Sequence, residues 1–320
     1  MRVALFVTGD MESEGLAMAL GRLFRGHTFQ PIPYRPDKAP FDGFTGSRLP
    51  VAGASAGVRS QVDELVRRAA GVVKGRRGEG PPDLLLLLDD LELANADQPD
   101  VAVAEFRDGV QRFLGELGPG NRERTAAALR QRVSLHFAAP MIESWLFADP
   151  GGLVRAGVPA TQALPVLPCA SRYEEFLTQD PTYLGDDCAA CEGWAGLMQK
   201  TRITRSKRRA HQPLWCGNDR GDNPRHPKRY LAWLCRDRAA KRCSRYQEVS
   251  GREGEPSGAT ALAGLQWGDL LANTHEMPFL NAMIEDLAHG LGEASPLPES
   301  APLAPQTRRK DRAPAVLRNL

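Results

Sequence analysis

The sequence predicts an α/β fold: a mostly parallel sheet with helices on both faces, a basic cysteine-bearing insertion and a helical C-terminal part. Three observations carry this. Through residues 1–150, β-rich apolar runs alternate with stretches of helical periodicity, the order that builds parallel sheets from right-handed crossovers. One run, Leu84 to Leu88, is five consecutive leucines, the mark of a strand buried on both faces. From Gly151 the alternation dissolves, and helical periodicity returns only at Lys228.

Taken in order, Arg2 to Thr8 is a short apolar run ending at Gly9 and reads as the first strand. Glu12 to Arg25 follows with Leu16, Ala19, Leu20 and Leu23 on one helical face. Residues 28–34 suit a second strand, and the Pro-, Gly- and Ser-rich stretch from Pro36 to Ala56 suits a loop. Val58 to Lys74 repeats the helical pattern, and Gly75 to Pro82 reads as a turn. Asp83 to Leu88 is the third strand, Val101 to Leu117 a helix, Val133 to Ala138 a fourth strand, and Met141 to Ala148 the start of another helix. Gly118-Pro119-Gly120 reads as a turn. Later helices are expected over Lys228 to Arg242, Thr260 to Asn273 and Pro278 to Leu291. The expected organisation is a core over 1–150, an irregular insertion over 151–226, a helical part over 227–292 and a disordered tail over 293–320, whose prolines and basic end oppose packing.

Composition excludes several classes. The 320 residues are 42% apolar and 25% charged, an ordinary globular balance. No apolar run approaches membrane-spanning length, and the N-terminus lacks a secretory leader, so a cytoplasmic protein without a membrane partner is expected. There is no P-loop and no Gly-x-Ser-x-Gly elbow. His136 lies in an apolar strand and reads as a core histidine.

Charge is distributed unevenly. Residues 200–245 hold fifteen Lys or Arg against Asp219, Asp222 and Asp237. That segment carries +12, which in a chain of net +2 leaves −10 for everything else. An anion-binding face beside an acidic site is the expected result. Within it, Lys200, Arg202, Arg205, Lys207, Arg208 and Arg209 alternate with Thr and Ser, flanked by Trp194 and Trp215. Cations meet phosphates and aromatics stack on open bases, so the segment is a candidate nucleic-acid contact; a solvated loop is the plainer alternative.

All six cysteines lie between Cys169 and Cys243, which excludes a disulfide-stapled N-terminal half. Cys188-Ala189-Ala190-Cys191 has the spacing of half a structural zinc site, which His211 and Cys216 could complete, with Cys169 or His226 in reserve. A pair of reduced thiols without a ligand is the alternative.

In an open parallel sheet, ligands bind beyond the carboxyl ends of the strands. Three acid clusters fall there: Asp10, Glu12 and Glu14 after the first strand, Asp89, Asp90 and Glu92 after the third, and Glu143 and Asp149 after the fourth. Carboxylates converging on one edge repel unless a cation joins them, and hard oxygen donors suit Mg²⁺ or Mn²⁺. Helix N-caps and first-turn dipole partners are the structural alternative.

The stretches Val7-Thr8-Gly9-Asp10-Met11-Glu12, Leu87-Leu88-Asp89-Asp90-Leu91-Glu92 and Ile142-Glu143-Ser144-Trp145-Leu146-Phe147-Ala148-Asp149 resemble the Toprim-like bacterial family catalogued as domain of unknown function 4276. His226-Pro227-Lys228-Arg229-Tyr230-Leu231, with Tyr246 and Phe279, resembles its C-terminal half. Toprim domains recur in topoisomerases, primases and OLD-type nucleases. The resemblance implies a Glu after the first strand, an Asp-x-Asp after the third, and divalent metal between them. It also implies a role in phage defence or DNA processing, beside an ATPase partner. Two departures are visible. Thr8 stands where the family usually has Glu, with Glu12 matching a second acid of many relatives. The Asp-x-Asp becomes Asp89-Asp90-Leu91-Glu92, so the pair is either Asp89 alone or Asp90 with Glu92. The expected activity is a Mg²⁺- or Mn²⁺-dependent nuclease using Glu12, Asp89, Asp90 and Glu143, with Glu92 in reserve. The alternative is a degenerate Toprim fold acting as a nucleic-acid- or partner-binding subunit.

Overall fold

The computed structural model describes residues 1–33, 40–75, 80–160, 165, 167, 173–186, 213–216, 220–236, 246–250, 252 and 254–304. Strands β1 (Arg2–Val7), β2 (Thr28–Pro31), β3 (Leu84–Asp90) and β4 (Val133–Ala138) form one all-parallel sheet in the order β2-β1-β3-β4. The α/β class, the parallel sheet and the four strand positions agree with the sequence pattern.

Helices cover both faces. Between the strands run α1 (Asp10–Leu23), α2 (Ala56–Lys74), α3 (Glu92–Asn95), α4 (Pro99–Gly115) and α5 (Pro119–Arg132). After β4 come α6 (Glu143–Leu146), α7 (Pro150–Arg155), α8 (Pro181–Leu184), α9 (Pro227–Leu234), α10 (Gly258–Ala263), α11 (Trp267–Ala272) and α12 (Pro278–Leu291). Strand side chains alternate, so each face has its own core. Val3, Leu5, Val7, Leu84, Leu86 and Leu88 pack with α1 and the C-terminal helices. Ala4, Phe6, Leu85 and Leu87 pack with α2, α4 and α5. The five leucines are therefore split between two cores, which is why the run needs no polar alternation. Among the described residues no helix is long and apolar enough to cross a membrane.

Several expectations are corrected. Helix α5 begins at the Gly118-Pro119-Gly120 turn and was not expected, because only Thr125 and Leu129 are buried and no apolar stripe marks it. The helix expected over Thr260 to Asn273 is two, α10 and α11, separated at Gly264 to Gln266. Residues 293–304 are not a free tail. Asn281 Nδ2 donates to the Pro302 carbonyl at 2.8 Å, and the Ala304 amide donates to Pro278 at 2.9 Å. A proline-rich segment has few backbone donors to satisfy, so two such bonds and the burial of Ala304 suffice to dock it. His136 is fully buried, with Nε2 3.4 Å from Asp286 on α12.

Helices α10 and α11 reach the sheet through α1, whereas α12 packs directly on β4. Trp267 Nε1 donates to the Ala19 carbonyl at 2.8 Å. A Cβ on Gly15 would stand 2.7 Å from the Ala259 carbonyl oxygen and 2.9 Å from Leu262 Cβ. Gly15→Ala is therefore expected to force α1 and α10 apart and cost about 1–3 kcal/mol. Gly21→Ala, with no atom near its added methyl, should gain up to about 1 kcal/mol from helix propensity. Urea unfolding of both variants checks this, and equal effects would contradict the close packing.

Candidate functional site

Because β1, β3 and β4 are neighbours, their carboxyl ends lie side by side, with Val7 opposite Leu88 and Asp90 opposite Ala138. Strand alternation then sorts the acids. Asp90 continues the face of Leu84, Leu86 and Leu88, the side of α1 and the C-terminal helices. Asp89 continues the face of Leu85 and Leu87. The two adjacent aspartates therefore serve opposite sides of the sheet.

On the Asp90 side, Glu12, Asp90, Glu92 and Glu143 are electrostatically coupled, and Glu248 also acts on Glu12. Glu12, one turn into α1, is 3% exposed and folds back over Gly9, where a Cβ would overlap its carboxylate at 2.0 Å. Glu143 opens α6 and is also buried. Asp90 Oδ1 accepts the Ile142 amide at 3.0 Å, tying β3 to the segment that carries Glu143. Glu92 has φ +59°, the left-handed region that a glutamate rarely adopts, and its amide donates to Pro140 at 2.7 Å. Such strain persists only when the surroundings impose it, and it turns the chain sharply at the sheet edge.

The electrostatics follow from this crowding. Burial, then Glu143, pushes the Glu12 carboxyl up to about 8. Asp90 is raised well above the usual range by burial and then by Glu12, Glu143 and Glu92. Glu92 is raised by burial and by Glu143. Among the described residues one cation enters the group: Lys228 Nζ lies 3.6 Å from Glu143 Oε1 and in direct contact with Glu248. Burial pulls its pKa down, but Glu143, Glu248 and Asp90 outweigh burial, and the ammonium is held charged. The Tyr246 hydroxyl donates to Glu143 Oε1 at 3.2 Å, and burial, then Glu143 and Glu248, raises its pKa.

A carboxyl raised in the folded state binds its proton there over a range in which the unfolded chain has lost it. The stability it contributes is complete below its unfolded pKa and is lost as pH rises through the folded value. For Glu12 that window runs from 4.5 to about 8. Metal-free protein is expected to lose stability across this range, and Glu12→Gln should flatten part of the slope. Urea midpoints at several pH values check this; a slope unchanged by the substitution would remove Glu12 from the coupled group.

Asp89 has a different job. Its Oδ2 accepts the Phe44 amide at 3.4 Å, and Thr8 and Thr45 hydroxyls also support it. Burial raises it to about 7, with Phe44 pulling the other way. Thr45 Oγ1 donates to the Asp90 carbonyl at 2.5 Å, and Asn95 Nδ2 donates to the Thr45 and Ser47 carbonyls at 2.7 and 3.0 Å. Asp89 thus anchors the loop over residues 40–49, and Thr8 is its partner rather than a vacant ligand position. Of the alternatives left by Asp89-Asp90-Leu91-Glu92, Asp90 and Glu92 are the two brought to Glu12 and Glu143.

Three further acids leave the cluster. Asp149 caps α7, accepting the Gly152 amide at 2.8 Å and the Gln266 amide at 2.9 Å and pairing with Arg155. Its oxygens are occupied structurally, as an N-cap requires. Asp10, in the first turn of α1, and Glu14, just beyond it, are exposed to solvent. The basic residues Lys200, Arg202, Arg205, Lys207, Arg208 and Arg209 lie outside the described residues, as do Cys188, Cys191 and His211. Cys216 is disulfide-bonded. His226 is neutral, its pKa lowered to about 3 by burial and then by Arg229 and Lys228.

Lys228, Tyr246 and Glu248 are site residues that the pattern of acids at strand ends does not reveal. Two signals were available for them: the resemblance noted over His226 to Leu231 with Tyr246, and Lys228 itself, since a cation in the first turn after Pro227 opposes the helix dipole and needs a reason.

Fold and site together define an α/β protein with a buried carboxylate cluster at the carboxyl edge of a parallel sheet. Comparison of the chain with protein-family models, curated proteins and solved structures finds no match. The all-oxygen donor set suits a hard divalent cation. Among the described residues, however, no three His, Cys, Asp or Glu side chains stand in a ready-made ligating arrangement.

Proposed function

We propose that this chain is a metal-dependent, Toprim-like nuclease or nucleic-acid-processing protein, serving in phage defence. The observation that carries the reading is the meeting of Glu12, Asp90, Glu92 and Glu143 beyond three adjacent strands. Buried carboxylates with raised pKa values are a costly arrangement, and perturbed acids of this kind concentrate at functional sites. Glu12, Asp90 and Glu143 would hold Mg²⁺ or Mn²⁺, with Glu92 beside them. When bound, the metal would supply charge neutralisation for a phosphodiester under attack by water. The chain's own contribution is orientation: Tyr246 fixes one Glu143 oxygen, the Ile142 amide fixes Asp90, and Asp89 holds the loop over 40–49 against β3. The direct test is purified protein with duplex DNA, single-stranded DNA and RNA, in Mn²⁺ and in EDTA. Cleavage in neither condition on any substrate would reject the nuclease.

One observation favours a second reading, a nucleic-acid- or partner-binding subunit working beside an ATPase. Thr8 replaces the expected acid and spends its hydroxyl on Asp89, so that position offers no carboxylate. Both readings use the basic segment to hold phosphates. Replacing Arg205, Lys207, Arg208 and Arg209 together by Ala should lower the salt slope of duplex binding by up to about 3–4. An unchanged slope would return the segment to a solvated loop. Salt-sensitive binding without cleavage would select the second reading.

A further inference from the structure

Lys228 stands where a lysine is costly. It lies in the first turn of α9, beside the partial positive charge of the helix N-terminus, between His226 and Arg229. Its side chain is only 30% exposed. Two carboxylates compensate. Glu143 is 4% exposed; Glu248 is 38% exposed, touches the ammonium directly and also acts on Glu12. The Glu143 contact is the looser one, at 3.6 Å, and its oxygen is the one that also takes the Tyr246 hydrogen bond. That oxygen belongs to the carboxylate group assigned above to divalent metal. A metal ion entering here would meet the ammonium beside Glu143, whichever carboxylate oxygen it took, and like charges repel.

We propose that Lys228 is the resident counter-ion of the carboxylate site, leaving Glu143 for Glu248 when a divalent cation enters. The inference rests on the metal-site reading above. It makes Glu248 a landing position, not a ligand, and gives the metal-free protein a way to tolerate its crowded acids. Lys228 then limits metal affinity.

The test is Mn²⁺ titration by calorimetry of the wild-type chain, Lys228→Met, Glu248→Gln and the double variant. Lys228→Met should bind Mn²⁺ about tenfold more tightly, the scale of removing one cation a few ångströms away. Glu248→Gln should weaken binding in the wild-type background and do little in the Lys228→Met background. A simple loss of nearby negative charge would weaken both equally, and the cycle separates the two. If wild-type protein binds no Mn²⁺, the metal reading itself fails. If wild type binds and a folded Lys228→Met binds equally or more weakly, only the counter-ion inference is overturned. Should Lys228→Met not fold, pulse acetylation of wild-type protein decides. Lys228 should be modified several-fold faster with Mg²⁺ than without, and an unchanged rate overturns the inference.

Discussion

Asp90→Asn should abolish metal-dependent cleavage while leaving the fold intact, and Asp89→Asn should not do so to the same degree. Asp90 is the central acid of the group, feeling Glu12, Glu143 and Glu92 together. An amide keeps the acceptor for the Ile142 N–H, so the β3 edge stays tied, but it removes a charged donor from the metal. The expected loss exceeds the ~10–100-fold typical when only a supporting partner is removed. Asp89→Asn likewise keeps an acceptor for the Phe44 amide and weakens only the carboxylate's bonds with the Thr8 and Thr45 hydroxyls, so it should act at that supporting level or below it. The same Asp90 variant should be more stable than wild type in EDTA at alkaline pH, because a buried, repelled carboxylate is gone. Turnover in Mn²⁺ and urea midpoints in EDTA measure both effects. Equal losses from the two substitutions would show that the sorting of the aspartates onto opposite faces has no functional meaning.

The second large effect is on Thr8. Thr8→Glu restores the acid at the position where the Toprim-like pattern has one, and the sequence alone would suggest a gain of metal binding. The structure leads to the opposite expectation. Thr8 lies on the Asp89 side, against Gly43, where an added Cβ on the glycine would be 3.2 Å from Thr8 Cγ2. A glutamate there sets a second carboxylate against Asp89, deletes a hydrogen bond to it and crowds the loop. The cost is expected at about 2–4 kcal/mol, combining a lost charge-assisted bond with a buried like charge. Urea unfolding and limited proteolysis at residues 40–49 would register it. Tighter Mn²⁺ binding by a stable Thr8→Glu protein would move the metal centre to the Asp89 face.

The sheet was legible because its causes are local. Five leucines ended by acids allow little except a strand buried on both sides, and Pro278 to Leu291 carries its helical face in its own spacing. Helix α5 was not legible, since a helix that buries only Thr125 and Leu129 writes no period into the sequence. The acids at the strand ends were visible as a set, and so was the pairing choice within Asp89-Asp90-Leu91-Glu92. Which aspartate faces Glu12 depended on which core each face of β3 meets, and that is set by the packing of α1 and the C-terminal helices. Asp149 looked like a member of the set and proved to be a cap, because the Gln266 amide reaches it from a segment 117 residues away. Lys228 belonged, on the chain, to the basic stretch; in space it is the cation of the acidic site. Periodicity and strand-end chemistry act over a few residues and can be read in order along the chain. Charge neutralisation acts through a few ångströms of space, and only the folded chain decides which charges share it.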